Sequence, residues 1–165
     1  MKLYHGSTIC VKSPELLPGA RLLDFGSGFY TTTNLEQASR WALIKKRRLI
    51  AKHAIVSTFD AEEVFNLHKK GLRVKNFSAA NEEWLDFVMV NRLGHNPAPD
   101  KYDVISGPVA NDTLYETLAL YERGILTRAE TIVRLKNHAL ADQVVFATAQ
   151  ALTELHFIEC IEVPL

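Results

Sequence analysis

The stretch DFGSGFYTTT, residues 24–33, decides how the rest of the chain is read. Gly26 and Gly28 supply a turn without side chains to obstruct it, and the aromatic and β-branched run that follows has the composition of a strand. Upstream, the apolar segment 2–5 predicts a first strand that ends on His5-Gly6-Ser7. Downstream, Thr33 or Asn34 caps a helix over 35–47, because Leu35, Ala38, Trp41 or Ala42, and Lys45 recur at helical spacing. The KKRR run at 45–48 then places positive charge at the helix C-terminus, where the dipole favours it.

Beyond this unit the pattern keeps alternating between strand and helix. HAIVSTFD at 53–60 and EVFNLH at 63–68 read as strands, and NEEWLDFVMVNRL at 81–93 as an amphipathic helix with Trp84, Phe87 and Val88 on its apolar side. GHNPAPDK ends that helix, YDVISG is strand-like up to Pro108, and a helix starts near Asn111 or Asp112. Thr127-Arg128-Ala129-Glu130 fits a capping box and predicts a helix over about 128–139. QVVFAT at 143–148, a short helix around 149–155 and HFIECIEV at 156–163 complete the chain. Regular βαβ alternation is missing, so the expectation is one α+β domain over 1–165, with curved, mostly antiparallel sheets flanked by helices.

Composition narrows the function classes. Lysine plus arginine equal aspartate plus glutamate at 19 each, so no global basic field argues for nonspecific nucleic-acid binding. Cys10 and Cys160 have no CxxC spacing and make no metal pattern with the six histidines; reduced thiols, no metal and a cytoplasmic location are the expectation. No apolar run approaches the roughly 20 residues of a membrane span. DFGSG lacks both the P-loop lysine pattern and the full GxGxxG, and no GxSxG elbow is present. His53, His68, His95, His138 and His156 each stand alone. His5 differs, because Gly6 beside it lets a ligand approach the backbone and the Ser7 hydroxyl comes next.

His5-Gly6-Ser7 taken with Gly28-Phe29-Tyr30, with Trp41 eleven residues further on and with Gln143-Val144-Val145-Phe146-Ala147, resembles the ADP-ribosyltransferase superfamily of the His-Tyr-Glu type. The blocks YHGS, DFGSGFYTT, EQASRWA, YDVISGPVAND and DQVVFAT make the chain similar to small bacterial domains of that superfamily, often encoded beside a short partner as in toxin–antitoxin pairs. The resemblance implies NAD+ as co-substrate, with His5, Tyr30 and Gln143 in the catalytic positions and His5, Gly6, Ser7, Gly28, Phe29, Tyr30 and Trp41 around the dinucleotide. Breaking the N-glycosidic bond of NAD+ passes through an oxocarbenium-like centre, for which positioning does most of the work. Under this reading the Gly6 backbone pairs with the nicotinamide carboxamide, Tyr30 lies against the cationic ring, Trp41 forms the opposite wall, and His5 donates to an adenine-ribose hydroxyl.

Gln143 departs from the family pattern, which has glutamate there. An amide can hold a ribose hydroxyl but carries no charge and cannot act as a base. Single ADP-ribose transfer to a nucleophilic acceptor, protein or nucleic acid, is therefore expected rather than chain elongation. The alternative is a catalytically weak NAD+ or ADP-ribose-binding module. An RNA 2′-phosphotransferase-like enzyme is a third reading, for which only Arg21, the 45–48 run and Arg73 offer basic residues. Asp142 is expected to face away from Gln143, since neighbours alternate across a strand. An antitoxin-like protein is the implied partner.

Overall fold

The computed structural model describes residues 1–17, 23–93, 101–109, 112–136 and 142–164. Among the described residues, seven strands and five α-helices follow one another as β1 Lys2–Ser7, β2 Phe29–Thr31, α1 Leu35–Leu49, β3 Ile55–Asp60, β4 Val74–Asn76, α2 Glu82–Arg92, β5 Val104–Pro108, α3 Asp112–Glu122, α4 Arg128–Lys136, β6 Asp142–Phe146, α5 Ala149–Leu152 and β7 His156–Glu162. The fold class is α+β, as expected. The GHNPAPDK turn from residue 94 to 100, Asn111, and residues 137–139 of the expected fourth helix lie outside the described residues.

Two sheets carry the architecture. One is antiparallel with order β1-β3-β7, and the other has order β2-β6-β5-β4. β2, β6 and β5 pair antiparallel, whereas β4 joins β5 in parallel. A single bridge between Tyr4 and Thr32 links the sheets: the Tyr4 N–H donates to the Thr32 carbonyl at 2.8 Å, and the Thr32 N–H returns a bond to Tyr4 at 3.0 Å. That bridge sets the end of β1 beside β2, which is what brings the first two motifs together.

The helix starts follow their capping residues. The Asn34 side chain accepts from the Gln37 N–H at 3.0 Å and Asn81 accepts from the Trp84 N–H at 2.9 Å, so each satisfies a donor that the first helical turn leaves unpaired. Thr127 and Glu130 form the reciprocal capping box: the Thr127 N–H donates to the Glu130 carboxylate at 2.8 Å, and the Glu130 N–H to the Thr127 hydroxyl at 3.3 Å. Behind these caps, the apolar faces pack. Trp84, Leu85 and Val88 of α2 meet Phe25, Ile105 and Val145 in one core, while Leu3, Phe29, Phe59, Val144 and Phe146 form a second on the other side of the β2-β6-β5 strands. Burying an apolar side chain of this size stabilises by about 2–3 kcal/mol. The Trp84 indole N–H is not stranded there, because it donates to the Pro108 carbonyl at 3.1 Å.

Two expectations are corrected. The segment expected as a strand at 63–68 is a 3-10 helix, Val64–Lys70. Val64 and Leu67, three residues apart, turn toward the core while Phe65 stays 77% exposed, and Gly71 at φ 82° ends the turn. The fourth strand is instead the short Val74–Asn76, too brief to show a pattern in sequence. The cysteines are the second correction: Cys10 and Cys160 form a disulfide with Cα atoms 5.8 Å apart, so they are not reduced thiols. Separation by 150 residues hid the pairing, which exists because β7 lies beside β3 and the segment after β1 folds back onto the same sheet, where the Val11 N–H reaches the Ser57 hydroxyl at 2.9 Å.

Candidate functional site

His5 sits on β1 with its imidazole stacked on Phe29, ring centres 4.3 Å apart, and its Nδ1 at 2.7 Å from the Tyr30 carbonyl. A carbonyl can only accept, so Nδ1 carries the proton. Burial, with the Lys45 charge acting in the same direction and the Tyr30 carbonyl opposing both, lowers the His5 pKa to about 4. The ring is thus neutral at ordinary pH and presents Nε2 as an acceptor. A ribose hydroxyl meeting His5 would donate to it, the reverse of the direction implied by the resemblance.

The glycines serve packing first. A side chain on Gly6 would run into the carbonyl of Ala38, so its absence is what lets α1 lie against β1. The Gly6 carbonyl also accepts a 2.7 Å hydrogen bond from Lys45 Nζ, and burial lowers the Lys45 pKa. The acceptor expected to hold a carboxamide is therefore already engaged. Gly28 packs against β6, where a Cβ would stand 2.5 Å from a Val145 side-chain carbon and 2.9 Å from the Phe146 carbonyl oxygen.

Tyr30 packs its ring against the core that holds Phe25, Trp84 and Val145. Its hydroxyl donates to the Gly26 carbonyl at 2.7 Å and accepts from the Phe25 N–H at 3.2 Å, closing the glycine turn on itself. Burial raises its pKa well above the ordinary tyrosine value. Tyr30 stands opposite Val145 on β6, and Val145 and Gln143 share a face as alternate residues of one strand. Tyr30 and Gln143 therefore look to the same side of the sheet, whereas the His5 imidazole meets the neighbouring Phe29 and touches Tyr30 only through its backbone. Ser7 ends β1 half-buried, and Trp41 is half-buried on α1.

Gln143 has the most informative surroundings. It is 5% exposed, lies opposite Gly107 on β5, and its amide nitrogen has no acceptor among the described residues. A buried polar group without a partner costs about 1–3 kcal/mol, so its persistence needs a reason. Gln143 lines a cavity of about 540 Å³ at the ends of β4, β5 and β6. His5, Gly6, Ser7, Tyr30 and Trp41 are not on that wall; Asn76, Phe77, Ser106 and Asp142 are. Sequence reasoning missed Asn76 and Ser106, whose hydroxyl donates to the Asn76 side-chain oxygen at 2.8 Å, because β4 was not legible.

Strand alternation predicts that Asp142 faces away from Gln143; its carboxylate accepts from the Thr33 hydroxyl at 2.8 Å and the Thr32 hydroxyl at 3.2 Å. At the strand's first residue, however, that alternation does not remove it from the cavity, whose wall it also joins. Among the described residues, no group of three or more His, Cys, Asp or Glu side chains could hold a metal ion. Of the basic residues weighed for RNA, Arg21 lies outside the described residues and Arg73 pairs with Asp103 at 3.0 Å.

Residues 1–157 match the model of a family described as protein of unknown function, DUF3990. No curated protein matches the chain.

Proposed function

The chain belongs to the DUF3990 family, and we propose that it is a mono-ADP-ribosyltransferase that uses NAD+ to modify a macromolecular acceptor, the toxin of a toxin–antitoxin pair. The observation that carries this reading is the buried, unpartnered amide of Gln143 at a cavity, on a strand paired with the one that carries Tyr30. A ribose hydroxyl oxygen would give that amide the acceptor it lacks, and His5, Tyr30 and Gln143 lie on β1, β2 and β6, which neighbour one another through the Tyr4–Thr32 bridge and the β2–β6 pairing. The neutral His5 Nε2 would receive a hydroxyl proton from the adenine ribose. Tyr30 and Gly28 shape the turn behind the ring, with Trp41, Ser7 and Phe29 around the dinucleotide.

A second reading, an NAD+ or ADP-ribose-binding module of little activity, is favoured by two features: Gln143 brings no charge to a developing cation, and the Gly6 carbonyl is held by Lys45. Incubating the protein with labelled NAD+ and cell extract separates the two. Transfer of label to extract with release of nicotinamide supports the transferase; NAD+ binding with neither supports the module; no binding at all removes both. Among the described residues no helix is long and apolar enough to cross a membrane. The Cys10–Cys160 disulfide suits an oxidising compartment better than the cytoplasm, so the place of action of such a toxin would lie where the bond persists.

A further inference from the structure

We infer that the cavity at the ends of β4, β5 and β6 is a pocket for a nucleobase, and that this base is the acceptor of the transferred ADP-ribose. Its role as acceptor rests on the transferase reading; the pocket itself does not. Size comes first. About 540 Å³ falls within the range of small-molecule pockets, and an amide or guanidinium side chain would leave most of it unfilled, whereas a heterocycle with its sugar would not. Charge comes second. Among the described residues the wall holds no lysine or arginine, and its one charged side chain is Asp142. Met1 also joins the wall, but its N-terminal ammonium donates to the Ala61 carbonyl and stands 3.5 and 3.8 Å from the Asp60 and Glu63 carboxylates, so a phosphate or pyrophosphate would have to compete with two carboxylates for it, which sets this pocket apart from a place for the phosphates of NAD+.

The polar groups then fit one edge pattern. The Gln143 amide nitrogen carries two N–H donors, neither with an acceptor among the described residues, so one can meet a ribose hydroxyl and the other a base. Asp142 is an acceptor with capacity left, because its Oδ2 receives only a 3.3 Å contact from the Thr33 N–H that Oδ1 shares. A base presents an acceptor atom beside an N–H donor along its edge, the complement of an amide nitrogen and a carboxylate. Phe77 and Pro108 supply apolar wall for the ring, and the Asn76–Ser106 pair continues the polar rim.

With Gln143 between the two substrates, the step balances. The C1′–N bond to nicotinamide breaks and its electron pair leaves with the neutral nicotinamide. A base nitrogen lone pair forms the new C1′–N bond, and the proton of that nitrogen passes to Asp142 and on to water.

The test is a titration of the full chain, without NAD+, with guanosine, adenosine, cytidine and uridine, followed by NMR at Phe77, Gly107 and the Gln143 side-chain amide. At least one nucleoside is expected to shift these resonances with a Kd below about 1 mM, the weakest class of specific binding. Ala79 is an exposed wall residue, so Ala79→Trp should fill the cavity and abolish the shifts while the melting temperature holds. Gln143→Leu should weaken binding at least tenfold. No shift with any nucleoside, or unaltered binding by Ala79→Trp, overturns the pocket. A short single-stranded oligonucleotide distinguishes the source: tighter binding than its nucleosides assigns the base to a nucleic acid, equal binding to a free nucleoside. NAD+ is titrated separately. Nucleoside binding without NAD+ binding overturns the transferase reading and its acceptor step but leaves the pocket standing.

Discussion

The His5 imidazole is held between two neighbours of one strand, its ring stacked on Phe29 and its Nδ1 proton given to the Tyr30 carbonyl at 2.7 Å. Protonation of Nε2 would bury a charge beside Lys45, so the folded protein resists a proton that the unfolded chain takes up near pH 6.5. A folded pKa of about 4 leaves this effect absent above pH 6.5. Stability then falls as pH drops from 6.5 toward 4 and levels off below, with a total loss of about 3 kcal/mol. Thermal melts from pH 7 to 4 should show the slope in the wild type and a reduced one in His5→Gln. Asp103, held by Arg73 at a pKa of about 2, acts in a separate window, its contribution lost only as pH falls from about 4 through 2.

Tyr30→Phe removes the hydroxyl that both accepts from Phe25 and donates to Gly26. Two backbone groups of a buried turn lose their partner, at a cost of about 1–3 kcal/mol, or roughly 2–4 °C of melting temperature per kcal/mol for a chain of this size. Differential scanning calorimetry reads the loss. If NAD+ contacts only the ring face, its affinity corrected for folding should be unchanged.

Gly6→Ala should be more damaging than any change at the solvent face of β1. Its methyl would meet the Ala38 carbonyl, and backbone of a helix cannot step aside as a flexible side chain does. A destabilisation of about 2–4 kcal/mol in urea titration is expected, with overpacking as the cause. An alanine variant as stable as wild type would show that α1 moves freely on β1.

Reducing the Cys10–Cys160 bond, or replacing both cysteines by serine, should lower stability by about 2–4 kcal/mol, since the closed loop spans nearly the whole chain. Melting with and without a dithiol measures it. The same comparison in amide exchange should show the loss of protection concentrated in β7 and at Val11, whose N–H depends on Ser57.

Gln143→Glu introduces the charge carried at that place in the superfamily the sequence resembles. If the site performs transfer, nicotinamide release in a coupled assay should persist or rise, because a carboxylate stabilises the developing cation. Gln143→Ala should abolish release, since an unheld ribose loses its orientation. An inert wild type alongside an active glutamate variant would identify the natural protein as a binding module.

Two helices were legible from their caps, Asn34 and Thr127, and α2 from its apolar face, with Asn81 as its cap rather than the first helical residue that the sequence pattern makes it. β6 was legible because its run of valines is buried on both faces. β4 was not, since three residues cannot display a period, and the 3-10 helix before it imitated a strand by mixing exposed Phe65 with buried Leu67. At the site, the sequence marked His5, Tyr30 and Gln143 but could not tell which glycines serve a ligand and which serve a helix. Gly6 shows why: its neighbour Ala38 is 32 positions away and only the β1–α1 packing brings it near. Asp142 was set aside by strand alternation, a rule that holds along a strand and weakens at its first residue.

The pairing of β1 and β7 with the same strand, β3, has a bearing on biosynthesis. Strands β1 and β3 can meet while the ribosome is still working, but β7 is made last, and the strand that Tyr30 needs as a neighbour, β6, comes only shortly before it. A nascent chain halted before residue 142 would hold His5 and Tyr30 with no Gln143 beside them and one whole sheet edge open. If the transferase reading holds, a growing chain would carry no complete site on the ribosome until β6 had emerged, so activity would be withheld through most of the synthesis of these strands.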